Sequence, residues 1–162
     1  MIKLVNTAGF IAINQENKIL LVRQCKGEKE QTTKDDNLIL PKKDIEEVAI
    51  EEWLIPFCAI DDDENPRDAL KKEIKKCLSC DVEDCNYFNL YFYNISDSFI
   101  KKVSYFYGTI SGEAKVKDSS SNIEWISLEK SEIAKLNLTP EQKEVLNDFI
   151  DFHQDKFLEK MD

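Results

Sequence analysis

Glycine, histidine and arginine are scarce in this chain, long apolar runs are missing, and each shortage closes off a class of function. No stretch of about 18 apolar residues occurs, which excludes a transmembrane helix as a reading of the sequence. Met1–Phe10 has no basic region, no long apolar run and no small-residue cleavage site, so it reads as a first strand rather than an export signal. The five cysteines are odd in number and follow no regular framework, so free thiols and a cytoplasmic location are expected. Acidic residues outnumber basic ones 32 to 22, a net charge of −10. A protein that binds nucleic acid through its phosphates needs the opposite balance, so non-specific nucleic-acid binding is not expected, although a local basic pocket stays open. Only Arg23 and Arg67 among the 22 basic residues are arginine, which we read as codon bias of an AT-rich genome and not as function. Histidine occurs once, at His153, among Phe149, Phe152 and Phe157. No Ser-His-Asp or Cys-His arrangement is legible, and His153 reads as a packing or surface residue.

What is present suits one soluble domain spanning 1–162. The 162 residues are 42% hydrophobic and 33% charged, enough for one core under a well-solvated surface and too few for two comfortable domains. Leu4–Ile13 and Lys18–Gln24 read as a hairpin around Asn14–Asn17, and Leu38–Pro41 as a short buried strand. Lys26–Asn37 is polar and reads as a loop. Ile45, Val48, Ile50, Trp53, Leu54 and Phe57 predict a helical turn or two, broken at Pro56. Asp61-Asp62-Asp63 reads as a solvated turn. Pro66 suits the first turn of a helix, and the spacing of Ala69, Leu70, Glu73, Ile74 and Cys77 carries that helix to about Ser79. Asn86–Ile95 and Phe99–Ile110 read as an antiparallel pair joined by Ser96-Asp97-Ser98. Ile123–Leu128 follows as a strand and Ser127–Leu136 as a short helix. A final helix is capped at Thr139, with Pro140 first and an apolar stripe from Val145 to Leu158. This order predicts a mixed sheet with helices on both faces.

Thr7-Ala8-Gly9-Phe10-Ile11 with Ile19-Leu20-Leu21-Val22-Arg23-Gln24 resembles the opening hairpin of the Nudix hydrolases. Leu40-Pro41-Lys42 is similar to the "LPKG" that leads into that family's signature box. Glu124-Trp125-Ile126-Ser127-Leu128-Glu129 resembles the strand-to-helix junction common in that superfamily, and the spacing and the closing helix look most like its diadenosine-polyphosphate hydrolase branch. The resemblance covers nearly the whole chain, and it rests on the order and spacing of the pieces. It implies an α/β (α+β) fold, a Nudix-type α/β/α sandwich with a mixed sheet. It also implies Mg²⁺ chemistry if the protein is active: acids on one helix face collect the cation, which neutralises a substrate diphosphate and activates water.

Laid on the box Gx5Ex7REUxEExGU, Glu64 takes the first glutamate position, Lys72-Glu73 the Arg-Glu pair, and Ile74 the apolar position. The two following glutamates fall on Lys76 and Cys77, and the glycine on Ser79. The first glycine would be Lys43, leaving about fifteen extra residues as an insertion at 44–63. No glycine lies between Gly27 and Gly108. Glu73, Lys76 and Cys77 share one helical face. Three carboxylates in the family become one carboxylate, one ammonium and one thiol, and Mg²⁺ prefers hard oxygen donors.

Glu64 and Glu73 are therefore the candidate catalytic residues, Glu73 the one candidate metal ligand, and Lys42, Lys72 and Lys76 the candidate ligand-binding residues. Glu73 has a second reading, an ion pair with Lys72 or Lys76 that supports the helix. Lys76 likewise is either an ammonium standing in for the cation or a solvated lysine. Cys77, Cys80 and Cys85 form a CxxC with a third thiol. They lack a fourth zinc ligand, and they sit at a helix C-terminus instead of the N-terminus that activates a redox thiol, so buried thiols are expected. Of the many aromatics between Tyr87 and Tyr107, alternation leaves one or two able to stack on a base. The insertion from Asp44 to Asp63, with Trp53, Leu54, Ile55 and Phe57, could cover a cleft, form a partner surface, or simply pack.

Two functions follow. One is a degenerate Nudix-fold module, a pseudoenzyme that binds a nucleotide-like small molecule or a protein partner, with weak or no hydrolase activity. The other is a Mg²⁺-dependent hydrolase of a nucleoside-diphosphate-linked substrate, using Glu64, Glu73 and a remote acid such as Glu113 or Asp118. A scaffolding role is a third reading, and it requires a large exposed apolar patch. No membrane partner is expected.

Overall fold

The computed structural model describes residues 2–23, 53–115 and 122–161. They fall into two units, one built from 1–20 and 55–117, the other from 21–54 and 118–162.

In the first unit, β1 (Lys3–Ala12) lies inside a four-stranded sheet of order β3-β1-β6-β5, with β3 at Phe57–Ala59, β5 at Asn86–Ser96 and β6 at Phe99–Gly108. β1 and β6 run parallel, in register from Lys3↔Phe99 to Ala12↔Gly108, while β3 and β5 are antiparallel to their neighbours. The sheet is thus mixed, as the order of elements predicts. β5 and β6 form the expected hairpin, whose turn is tied by Ser98 N–H donating to Ser96 Oγ at 3.2 Å. Ala8, Phe10, Ile11 and Ala12 of β1 are buried, as are Val103, Tyr105 and Phe106 of β6. Gly9 is required by close approach. The Tyr105 ring lies over it, and a Cβ there would sit 2.5 Å from Tyr105 Cε1.

Trp53–Ile60, expected to be partly helical, is extended. β3 pairs with β1 through Thr7↔Ala59, Ala8↔Cys58 and Gly9↔Phe57. Phe10 N–H donates to the Pro56 carbonyl at 2.9 Å and Ile60 N–H to the Asn6 carbonyl at 3.0 Å. An open strand edge offers this segment a complete set of partners. Pro56 cannot supply the N–H that a helix interior needs, so the ladder outcompetes the turn. The rest of that expected helix, the strand Leu38–Pro41 and the loop Lys26–Asn37 lie outside the described residues.

Helix α1 (Pro66–Leu78) follows β3. Its start is specified by Asn65, whose Oδ1 accepts from the N–H groups of Arg67 at 2.8 Å and Asp68 at 3.4 Å, and by Pro66 in the first turn. Ser79 ends it in the left-handed region, φ 59°. Ala69, Leu70, Ile74 and Leu78 form its buried stripe, and it packs on β1 and β3. Two short strands, β4 (Asp81–Val82) and β7 (Ile110–Ser111), pair beyond it.

In the second unit, the end of β2 (Lys18–Arg23) pairs with β8 (Asn122–Ser127), and Leu54 bridges Val22. The Arg23 guanidinium lies 4.9 Å above the Trp53 ring. Two helices follow, α2 (Lys130–Lys135) and α3 (Pro140–Met161). The first is shorter than expected, because Glu129 holds an extended cap conformation. Thr139 caps α3 as predicted, its Oγ1 accepting from Gln142 N–H at 3.2 Å. Ile133, Leu138, Val145, Leu146, Phe149 and Ile150 are the buried core of this unit. His153 stacks on Phe149 with ring centroids 5.8 Å apart, a packing contact. No helix among the described residues is long and apolar enough to cross a membrane.

Candidate functional site

The candidate site is built from β3, the turn Asp61–Glu64 and the outer flank of α1. The turn closes on itself: Glu64 N–H donates to the Asp61 carbonyl at 3.0 Å, and Asp61 N–H donates back to Glu64 Oε1 at 3.3 Å. Glu64 thus spends part of its carboxylate on the backbone that leads into the Asn65 cap.

Nine residues on, Glu73 is half-buried, one step off the apolar stripe. Its Oε2 accepts from the Cys77 thiol at 2.9 Å. This replaces the expected ion pair: among the described residues no salt bridge joins Glu73 to Lys72 or Lys76. The i,i+4 spacing puts thiol and carboxylate side by side, while both lysines are exposed to water that solvates an ammonium well. Cys77 itself is exposed rather than buried as expected.

Cys58, half-buried on β3, ties the two glutamates to one locality. Burial, then the charge of Glu73, then that of Glu64 push its thiol up to about 11. Two carboxylates thus act on the same sulfur. At neutral pH that sulfur stays protonated, which makes it a poor nucleophile. Burial also raises Cys80, and it raises Cys85 against the opposing pull of Arg67 and Lys71. Cys80, the second thiol of the CxxC, thus lacks the depressed pKa of a redox thiol.

Of the residues singled out from sequence, the structure gathers Glu64, Glu73, Lys72 and Lys76 on one turn and one helix. Lys42 and Asp118 lie outside the described residues, and Glu113 is exposed just past β7. Cys58 was missed. The available signal was the count back from Glu64: six residues, the separation between the first glycine and first glutamate of the box.

The donor set does not fit Mg²⁺. A magnesium site wants several hard oxygens, and here one glutamate is engaged by a thiol, the other by a turn, with an ammonium on the same helical face. Among the described residues, no group of three or more His, Cys, Asp or Glu side chains is placed to hold a metal ion.

No family model matches the chain, and no curated protein matches it. Solved structures do. The E. coli ORF135 protein superposes with a TM-score of 0.69 at 15% identity, covering 94% of this chain and 92% of that one. MutT from Methanosarcina mazei Go1 gives 0.68 at 13%, covering 94% and 96%. A MutT Nudix hydrolase from Burkholderia pseudomallei gives 0.65 at 16%, covering 90% and 98%. Likeness at this identity speaks for architecture alone, and on that count the chain has the fold of the Nudix hydrolases.

Proposed function

We propose that this protein is a Nudix-fold binding module for a diphosphate-bearing small molecule, with little or no hydrolase activity. The observation that carries the reading is the bond from the Cys77 thiol to Glu73, on the helical face where the resemblance implies three carboxylates. With Lys76 on that face, its formal charge is near zero instead of strongly negative, and divalent cations have nothing to concentrate them.

The position of β3 supports a revised frame for the box. Cys58 stands six residues before Glu64, where the box has its first glycine, and Ile55-Pro56 precede it as Leu-Pro precedes the box in the family. In this frame the loop–helix–loop runs from Cys58 to Ser79 with family spacing, and no insertion at 44–63 is needed. The departures are then confined to side chains: a thiol for glycine, and an ammonium and a thiol for two glutamates. The spacing of the pieces and the closing helix favour dinucleoside polyphosphates as ligands, by their likeness to the diadenosine-polyphosphate branch.

A second reading, a Mg²⁺-dependent hydrolase, draws on one observation: Glu64 and Glu73 both bear on Cys58, so two carboxylates do converge. A screen of nucleoside polyphosphates, nucleotide sugars and dinucleoside polyphosphates with Mg²⁺ or Mn²⁺ separates the two. The binding module gives ligand binding and no turnover above the protein-free rate. Turnover that disappears in Glu73→Gln establishes the hydrolase and removes the module.

A further inference from the structure

We propose that the ligand is taken up as its metal-free anion, by the ammonium groups of Lys72 and Lys76, so that Mg²⁺ weakens binding instead of strengthening it. This rests on the binding-module reading and adds the ionic form of the ligand.

Helix α1 inverts the charge of the chain it belongs to. Arg67, Lys71, Lys72, Lys75 and Lys76 face only Asp68 and Glu73 along its length, in a protein whose net charge is −10. The lysines at 71, 72, 75 and 76 project from one side of the helix, and all four are exposed. Lys71/Lys75 and Lys72/Lys76 are like-charge pairs at i,i+4, an arrangement that works against the helix. Lys75 finds relief in Asp81, 3.3 Å away. Among the described residues Lys72 and Lys76 take part in no salt bridge.

Two of the acids nearby have partners of their own. Glu73 accepts from Cys77, Glu64 accepts from the Asp61 backbone, and Cys58 is a neutral thiol. Along the helix itself basic groups outnumber acidic ones five to two, so an incoming phosphate meets net positive charge there. A diphosphate complexed by Mg²⁺ presents about two fewer negative charges to those groups. The cation is also repelled by the same ammoniums. Both effects favour the free anion, which is the opposite of what a face of three carboxylates would select.

The test is equilibrium titration of ADP and of inorganic pyrophosphate, by calorimetry, first in EDTA and then with saturating Mg²⁺. Lys76→Glu, Lys72→Glu and Lys3→Glu are compared, the last making the same change of net charge on β1. Binding in EDTA that weakens about fivefold or more with Mg²⁺, and about tenfold or more in Lys76→Glu or Lys72→Glu but not in Lys3→Glu, is the expected result. Binding strengthened by Mg²⁺ without turnover overturns this inference and leaves the module standing. Equal losses in all three variants also overturn it, because the attraction is then diffuse. No binding of either probe in either condition overturns the module and this inference together.

Discussion

Rebuilding the acidic face gives the sharpest check on the electrostatic argument. Lys76→Glu with Cys77→Glu places carboxylates at both departures and frees Glu73 from its thiol partner. The first change swings the local charge by two units and the second by one. Both positions are exposed, so the solvent-screened interaction is the appropriate one. A unit charge ~6 Å from a divalent cation is worth about 1.4 kcal/mol in water, a factor of about ten in affinity. Three units amount to roughly a thousandfold. Mn²⁺, which reports through its electron paramagnetic resonance signal, should therefore bind the wild type only at millimolar concentrations and the double variant in the micromolar range. Crowding carboxylates at 73, 76 and 77 costs a few tenths of a kcal/mol of helix stability per pair, so the fold survives the change. Wild-type protein that binds Mn²⁺ as tightly as the double variant would refute the claim that the lysine and the thiol silence this face.

Three further outcomes test the structure beneath the site. Gly9→Ala should destabilise the protein by about 1–3 kcal/mol in chemical denaturation, because the new methyl meets the buried Tyr105 ring and the ring has no room to yield. Burial pushes the Asp84 carboxyl up, but donation from Thr109 Oγ1 and N–H and from Asn86 Nδ2 outweighs it and leaves the group below its ordinary value. A depressed folded-state pKa contributes stability above the unfolded value, near 4, that is lost as pH falls through the folded one. The stability gap between wild type and Asp84→Asn should accordingly narrow over that window in pH-dependent urea melts. Cys58, held up to about 11, should react with a disulfide reagent at pH 8 far more slowly than exposed Cys77, as mass spectrometry of the labelled peptides will show.

Much of the fold is legible in the sequence because its signals are local. Asn65-Pro66, the apolar spacing through Leu78 and the cap at Ser79 mark α1 to within a residue. Ser96-Asp97-Ser98 between two aromatic runs marks the β5–β6 hairpin. What is not legible is long-range. Nothing around Phe57-Cys58-Ala59 announces that β1 has a free edge waiting for it, and apolar periodicity alone cannot tell three residues of edge strand from a helical turn. Reading that segment as helix moves the start of the box to Lys43 and hides Cys58. The site suffers from a second limit. A charge count predicts that Glu73 will find a lysine, but side-chain geometry and solvation decide, and they favour a neutral thiol four residues on.

The two sets of residues on α1 would let a fold outlast its chemistry. Asn65, Pro66, Ala69, Leu70, Ile74, Leu78 and Ser79 start, bury and end the helix. Glu73, Lys76 and Cys77 lie on the flank, and no residue belongs to both sets. Exchanging a glutamate for lysine on an exposed flank shifts stability by a few tenths of a kcal/mol, whereas emptying the Leu70 or Ile74 site costs about 2–5. A sequence can therefore drift from carboxylates to an ammonium and a thiol with the sheet and helix undisturbed. For the same reason, architectural likeness at 13% to 16% identity does not decide whether a chain is catalytic. That question turns on polar side chains, which the architecture does not fix.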